Sequence, residues 1–142
     1  MGKTYQSIII NAPVDKVWSA IRNFHDMGWA PNVITQLDIV GSKKGGEIGA
    51  GRILNGVFHE TLRELKDENY TLGYSIDDGP SPVSKTEVSN YRGRLCLLPV
   101  TEGNATFVEW ASTWERNDSQ AADFCHGIYV ALLGEMKQSL EK

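Results

Sequence analysis

The chain has 142 residues, a length that fits one domain and can bury a hydrophobic core without disulfide or metal cross-links. Its formal net charge is -4, and its 14 basic residues are scattered, with Lys43 and Lys44 as the only adjacent pair. These features argue against a nucleic-acid-binding surface and against a basic membrane-binding cluster. We therefore predict a single domain over residues 1–142.

The two cysteines, Cys96 and Cys125, are too few for a disulfide framework and do not have the spacing of a metal site. We expect both to be free thiols, which favours a cytoplasmic location. The start of the chain lacks the apolar core of a signal peptide, and no apolar run approaches the roughly 20 residues that span a membrane.

The first third of the chain predicts a strand followed by helical segments. Residues 5–10 are typical of a strand, and Pro13 can occupy the first position of a helix. Apolar residues then recur at three- and four-residue spacing, which indicates an amphipathic helix: Val14, Val17, Trp18, Ile21 and Phe24. A second short helix is predicted around residues 28–33, although Pro31 interrupts it.

The middle of the chain changes to the two-residue alternation of strands. Leu37 and Ile39 alternate with polar residues, and a glycine-rich stretch follows at residues 41–51. Asn55-Gly56 between residues 52–54 and 57–64 predicts a hairpin. Later strands place one set of side chains on a single sheet face: Tyr70, Leu72, Tyr74, Ile76, then Tyr91, Leu95, Leu97, then Val108, Trp110, Ser112 and Trp114.

The C-terminal segment predicts a long helix that begins after the possible N-cap residues 117–119. Its apolar stripe consists of Phe124, Ile128, Leu132, Met136 and Leu140. The element order predicts an α+β fold with a curved antiparallel sheet of about seven strands around this helix. Because one helix about 10 Å wide does not fill a wide, curled sheet, we expect an internal cavity.

Several motifs resemble the START-like (SRPBCC) helix-grip superfamily, in its bacterial polyketide cyclase/dehydrase-like branch. The matching segments cover nearly the whole chain: residues 10–18, 28–31, 49–52, 60–65, 74–76 and 79–83, the strand at Tyr91, and Trp110. The resemblance implies a deep pocket for lipids, hormones, polyketides or similar molecules, in proteins that are either binders or enzymes. Two features depart from the pattern: Ala30 stands where relatives often carry histidine, and residues 84–90 are longer than expected.

Glu60 and Arg52 are the candidate polar groups of such a pocket. Glu60 shares strand parity with Phe58 and Leu62, so a carboxylate on that face is either an acid/base or ligand anchor, or is neutralised by an ion pair or the solvent rim. Arg52 is its natural counter-ion, and either holds a ligand anion or forms a surface ion pair.

The remaining candidate ligand contacts are aromatic and aliphatic. They are Trp29, Tyr74, Tyr91, Trp110 and Trp114, together with Phe124, Ile128 and Leu132 on the C-terminal helix. Each is alternatively a plain core residue, and Trp29 alternatively a plug without ligand contact. His25, His59 and His126 lie on different elements, so we expect no metal site, and the glycines of residues 45–51 lack the following helix of a phosphate loop.

The favoured function is binding of a hydrophobic or amphipathic small molecule, without cofactor, by a monomer or homodimer. The alternative is a cofactor-free cyclase or dehydratase, with Glu60 as acid/base and Arg52 as anion anchor. A third possibility is that residues 77–90 face a protein partner or gate the ligand.

Overall fold

A computed structural model describes residues 1–116 and 118–141. The strands and helices in chain order are β1 (Gly2–Ile10), α1 (Val14–Ile21), β2 (Leu37–Val40), β3 (Gly51–Leu54), β4 (Phe58–Lys66), β5 (Thr71–Asp78), β6 (Ser89–Val100), β7 (Ala105–Glu115) and α2 (Asp118–Leu140). Short 3-10 turns at Asp67–Asn69 and Glu102–Asn104 connect β4 to β5 and β6 to β7. The predicted N-cap includes residue 117, which lies outside the described residues, and no side chain is described at 118 or 119.

The seven strands form one antiparallel sheet in the order β1-β7-β6-β5-β4-β3-β2. Strands β2 to β7 therefore make the predicted meander, and the last strand, β7, also pairs with β1. The α+β class and the seven strands around a long C-terminal helix are confirmed. Register shifts beside Glu60 and between Leu62 and Glu64 bend β4, as β-bulges do.

The hairpin predicted at Asn55-Gly56 joins β3 to β4. Both residues have positive φ angles, 53° and 71°, a backbone conformation that asparagine and glycine tolerate. The hairpin places Arg52 directly opposite Glu60 across the two strands.

The second short helix predicted around residues 28–33 is wrong. The chain there makes isolated turns, such as the bond from Ala30 N to Met27 O at 3.0 Å. Pro31 has no amide proton to donate, and the amide of Asn32 donates instead to Glu135 Oε1 on α2 at 2.6 Å. Because these donors are missing or used outside the segment, no helical ladder forms, and α1 is the only helix of the N-terminal segment as described.

The side chains predicted to share the inner sheet face are buried between the sheet and α2. Fully buried examples are Leu97, Val108 and Trp114, each at most 1% exposed. Tyr70 differs, because it lies just before β5 in a left-handed conformation with φ 53° and packs edge-on against Trp18. On α2 the predicted stripe continues into the core through Leu132, Met136 and Leu140. No helix in the described part of the chain is long and apolar enough to cross a membrane.

Candidate functional site

An apolar cavity lies between the inner sheet face and α2. Fourteen residues line it: Met27, Ile34, Arg52, Leu54, Phe58, Glu60, Tyr74, Ile76, Tyr91, Trp110, Cys125, Ile128, Tyr129 and Leu132. The empty space between these walls, counted to its open side, is about 440 Å³. The part that the centre of a water-sized sphere can occupy is only about 40 Å³. That is room for about three water molecules, so the cavity is narrow.

A buried ion pair forms one part of the wall. Arg52 Nε and Nη2 donate to Glu60 Oε1 at 2.9 Å and 2.6 Å, and both side chains are about 7% exposed or less. Arg52 Nη1 donates to the carbonyl of Phe24 at 3.0 Å, and the guanidinium carbon stacks 3.7 Å from the Phe24 ring centre. Three anchors therefore fix the guanidinium, and Arg52 holds the carboxylate of Glu60 in place.

The carboxyl of Glu60 is a titratable group in the cavity wall, and its surroundings shift its pKa. Burial raises the pKa of Glu60, and the nearby Arg52 charge and hydrogen bonds lower it, with a net rise above the ordinary value of 4.5. Both bonds from Arg52 end on the same oxygen, Oε1. The other oxygen, Oε2, is not used by this pair.

A chain of buried hydroxyl groups forms a neighbouring part of the wall, since the Tyr74 ring centre lies 5.8 Å from the Arg52 guanidinium carbon. Tyr129 Oη lies 2.8 Å from Tyr74 Oη and 2.6 Å from Tyr91 Oη. Trp110 Nε1 donates to Tyr74 Oη at 3.0 Å, and Tyr91 Oη donates to Ser112 Oγ at 3.0 Å. Because a phenol has one proton, donation from Tyr91 to Ser112 requires Tyr129 to donate to Tyr91, and Tyr74 to Tyr129.

These three tyrosines are neutral, and their protons are used inside the chain. Burial is the main cause that raises the pKa values of Tyr74, Tyr91 and Tyr129 well above 10. The hydroxyl groups bond to one another and to Trp110 and Ser112 inside the wall, so the surface that faces the cavity is almost entirely apolar.

Seven of the ten predicted ligand contacts lie in the cavity wall. They are Arg52, Glu60, Tyr74, Tyr91, Trp110, Ile128 and Leu132. Whether any of them binds a ligand stays a prediction.

The other three predicted contacts pack elsewhere. Trp114 stacks on Tyr91 with ring centres 5.4 Å apart and planes 5° apart, so Tyr91 lies between it and the cavity. Phe124 stacks on the lining residue Phe58 at 6.4 Å. The carbonyl of Trp29 accepts a bond from Ser139 on α2 at 2.8 Å, which places this tryptophan under the end of the helix.

The sequence analysis missed Tyr129, which links the two tyrosines from the sheet. Its position four residues after Cys125 and three before Leu132 places it on the buried helix face, and that spacing was the available signal. Met27 and Ile34 were also missed, because they lie in turns without a periodic pattern. Cys125 lines the cavity, and burial raises the pKa of its thiol, which keeps it protonated.

The three histidines lie outside the cavity wall. His59 is exposed, as its strand parity predicts. His25 Nε2 lies 2.9 Å from the carbonyl of Gly51, and His126 Nδ1 lies 2.9 Å from Gln6 Oε1. No group of three or more His, Cys, Asp or Glu side chains within residues 1–116 and 118–141 is placed to hold a metal ion.

The segment that connects β5 to β6 folds onto the body of the protein. Val83 and Val88 are buried, at 1% and 4% exposure. Asp78 Oδ1 accepts bonds from the amides of Gly79 and Lys85 at 3.0 Å each, which closes the turn. The proposed roles of residues 77–90 as a partner surface or gate stay predictions.

The sequence matches the family described as Polyketide cyclase / dehydrase and lipid transport over residues 1–141. The chain belongs to this family. This match confirms the predicted resemblance. The family's description covers polyketide cyclases, dehydrases and lipid-transport proteins. No curated protein matches the chain significantly.

Solved structures of several other proteins share the fold. A protein from Nitrosospira multiformis is 45% identical, with a TM-score of 0.95 over 97% of this chain and 95% of that one. The protein XoxI from Bacillus cereus is 28% identical, with a TM-score of 0.80 over 99% and 96%. An uncharacterised protein from Bacillus thuringiensis is 26% identical, with a TM-score of 0.81 over 99% and 100%.

Proposed function

We propose that the protein binds a small, largely apolar and uncharged molecule in the cavity between the sheet and α2. The observation that carries the proposal is a wall of apolar side chains around two neutralised polar features, the Arg52–Glu60 pair and the tyrosine hydroxyl chain. An anion entering this space would lie against Glu60 and would lose its hydration. A neutral molecule that donates a hydrogen bond to Glu60 Oε2 meets neither cost.

The ligand is a compact or flat molecule. Binding pockets for drug-sized molecules measure about 300–1,000 Å³. This cavity measures about 40 Å³ as its walls stand, so the walls must move when a ligand of that class enters. A long acyl chain would need a larger movement of the walls than one compact aromatic ring system.

Fluorescence of N-phenyl-1-naphthylamine, a neutral aromatic amine, tests this proposal. The variant Ile128→Trp fills the cavity from α2, and we expect at least about a tenfold loss of probe affinity. Val130→Trp is the matched control, because Val130 is 51% exposed on the same helix. Circular dichroism confirms that each variant is folded, and Ile128→Phe provides a milder block. Equal affinity of Ile128→Trp, Val130→Trp and the unchanged protein would contradict the proposal.

A second candidate function is dehydration of a β-hydroxy ketone, the simplest reaction of the cyclase/dehydrase type. The buried carboxyl of Glu60, with its raised pKa, favours it. In the carboxylate form, Glu60 takes a proton from the carbon beside the ketone. It then gives a proton to the departing hydroxyl, which leaves as water. In this reaction Arg52 positions Glu60, because its Nε and Nη2 donors already bind that carboxylate.

Dehydration of 4-hydroxy-4-methyl-2-pentanone, followed by the ultraviolet absorption of its conjugated product, tests this candidate. We expect the unchanged protein to accelerate the reaction and Glu60→Gln to lose the acceleration. Glu64→Gln on the same strand is the control, because Glu64 pairs with Lys66 and Arg94 outside the cavity. If the protein, both variants and buffer give one rate, this dehydration candidate is rejected.

A further inference from the structure

Two neighbouring spaces share part of their walls. Met27 and Ile34 line the inner cavity, and the same two residues line an open groove on the outside of residues 25–37. Met27 is 6% exposed, whereas Ile34 is only partly buried. These two side chains therefore separate the cavity from the groove.

The groove differs from the cavity in both size and chemistry. The groove has a volume of about 610 Å³, against about 40 Å³ for the inner cavity. Its lining includes four polar side chains, His25, Asp26, Thr35 and Gln36. A molecule that enters by this route passes from a polar, roomy space into a narrow apolar one.

Hydrogen bonds hold the backbone around the two separating residues. They tie the segment to the rest of the fold at several points, among them His25 Nε2 with Gly51 O at 2.9 Å, Trp29 O with Ser139 Oγ at 2.8 Å, Asn32 N with Glu135 Oε1 at 2.6 Å, and Thr35 N with Asn55 Oδ1 at 2.9 Å. Met27 and Ile34 have apolar side chains that make no directional bonds. Methionine in particular changes rotamer at low cost, so the passage can open without moving the backbone.

We propose that the groove is a second subsite, which receives the polar end of the ligand whose apolar part enters the cavity between Met27 and Ile34. This inference rests on the proposed function, and it makes the ligand amphipathic. The polar end is not an anion, because Asp26 is an acidic lining residue of the groove and is exposed. Asp26 Oδ1 accepts the Gly28 amide at 2.9 Å, and that bond holds the carboxylate at the groove wall.

The passage is tested by the association rate of N-phenyl-1-naphthylamine in stopped flow. Ile34→Trp narrows the passage, and we expect at least about a tenfold slower association. Met27→Ala widens it, and we expect faster association and faster dissociation. Ile39→Trp is the matched control, because Ile39 is 62% exposed on the edge strand and does not line the groove. Unchanged association and dissociation rates in both Ile34→Trp and Met27→Ala would contradict the proposal that the ligand enters between these two residues.

The polar subsite is tested with 8-anilino-1-naphthalenesulfonate, which has the same aromatic parts plus one negative charge. We expect this probe to bind more weakly than the neutral amine. Asp26→Asn should improve the affinity of the sulfonate by about two- to fivefold and leave the neutral amine unchanged, since one like charge at about 6–8 Å has an effect of that size. Glu102→Gln, at the distant β6–β7 turn, should change neither.

The two proposals fail in different ways. If Ile128→Trp leaves amine binding intact, the cavity is not the binding site and the proposed function fails. If Ile128→Trp blocks binding but Asp26→Asn leaves the affinity ratio of the two probes unchanged, the cavity binds and the groove does not receive the polar end. The substitution Asp26→Asn keeps the bond to the Gly28 amide, so a folding defect would not mimic either result.

Discussion

The face that α2 covers has two ends that use aromatic residues in opposite ways. At one end, Trp114 lies over Gly2, its partner across β1 and β7, and stacks on Tyr91. A Cβ atom on Gly2 would be 2.1 Å from the indole, so this end is filled. At the other end, Tyr74 and Trp110 meet edge-on at 88° and leave the cavity beside them. Tyr91 lies between the two ends, because it stacks on Trp114 and also lines the cavity.

An inward position alone does not make an aromatic residue part of a pocket. Trp114 and Trp110 share a strand, a face and nearly complete burial, at 1% and 3% exposure. What differs is the neighbour: Trp114 has a glycine opposite it and lies flat, whereas Trp110 donates to Tyr74 Oη and is held on edge. The residue opposite each indole on β1 differs as well, since it is Gly2 for Trp114 and Gln6 for Trp110. The cross-strand neighbour therefore contributes to the choice between packing and cavity.

Removal of Trp114 should have the largest effect on stability and the smallest on binding. Trp114→Ala deletes a fully buried indole, which costs about 3–5 kcal/mol. Urea unfolding measures the loss. We expect the affinity for N-phenyl-1-naphthylamine to change by less than about twofold, because Trp114 does not line the cavity and touches it only through Tyr91, whose hydroxyl keeps its bonds to Tyr129 and Ser112. A folded variant that loses probe binding would show that the two ends are coupled through Tyr91.

Gly93→Ala should force a new methyl group against an aromatic ring at the cavity end, as a substitution of Gly2 would at the filled end. Gly93 lies opposite Tyr74 across β5 and β6, and a Cβ atom there would be 2.3 Å from the phenol ring. We expect overpacking to cost about 1–3 kcal/mol and to push Tyr74 toward the cavity, with weaker probe binding.

The control for Gly93→Ala is Gly127→Ala on α2, where a new Cβ atom meets nothing within 4 Å. Alanine is the better helix former by about 1 kcal/mol, so this variant should gain stability and keep its affinity. If Gly93→Ala matches the unchanged protein in both unfolding and binding, Tyr74 is not held against the strand.

The sheet and the ion pair could be predicted from the sequence because their signals are local. Alternation fixed the faces of β5 to β7, and Asn55-Gly56 fixed the hairpin that sets Arg52 opposite Glu60. The groove could not be predicted, since Met27 and Ile34 lie in turns whose shape depends on contacts with α2 from more than 100 residues away. The helix predicted around residues 28–33 does not form for the same reason.

Tyr129→Phe should remove the link between the two tyrosines of the sheet. Tyr129 Oη bonds with both Tyr74 and Tyr91, and its loss leaves buried hydroxyls short of a partner. We expect a loss of about 1–3 kcal/mol in unfolding free energy, with probe binding retained. Tyr5→Phe is the control: Tyr5 is 56% exposed and bonds Glu109 on the surface, so its loss should stay within about 0.5 kcal/mol. Equal losses in the two variants would contradict a cooperative buried chain.

The smallest expected effect is on the pH dependence of the unfolding free energy. Its sign should differ between the buried carboxyl of Glu60 and the more exposed carboxyl of Glu64. Burial gives Glu60 a pKa above 4.5 in the folded protein, so between 4.5 and that higher value the folded state binds more protons than the unfolded state. The unfolding free energy of the unchanged protein, measured relative to Glu60→Gln, should therefore fall as pH rises through this window. Above the raised pKa the difference should be constant.

Glu64 on the same strand should give the opposite slope. Burial raises the pKa of Glu64, but bonds from Lys66 and Arg94 outweigh it and lower the pKa below 4.5. Its stabilisation is present above 4.5 and is lost as pH falls through the lowered value, so the difference from Glu64→Gln should rise with pH. The carboxylates common to each pair of proteins cancel in these differences. If both slopes have one sign, Arg52 neutralises Glu60 completely, and the cavity then holds an ordinary ion pair with no acid to offer a ligand.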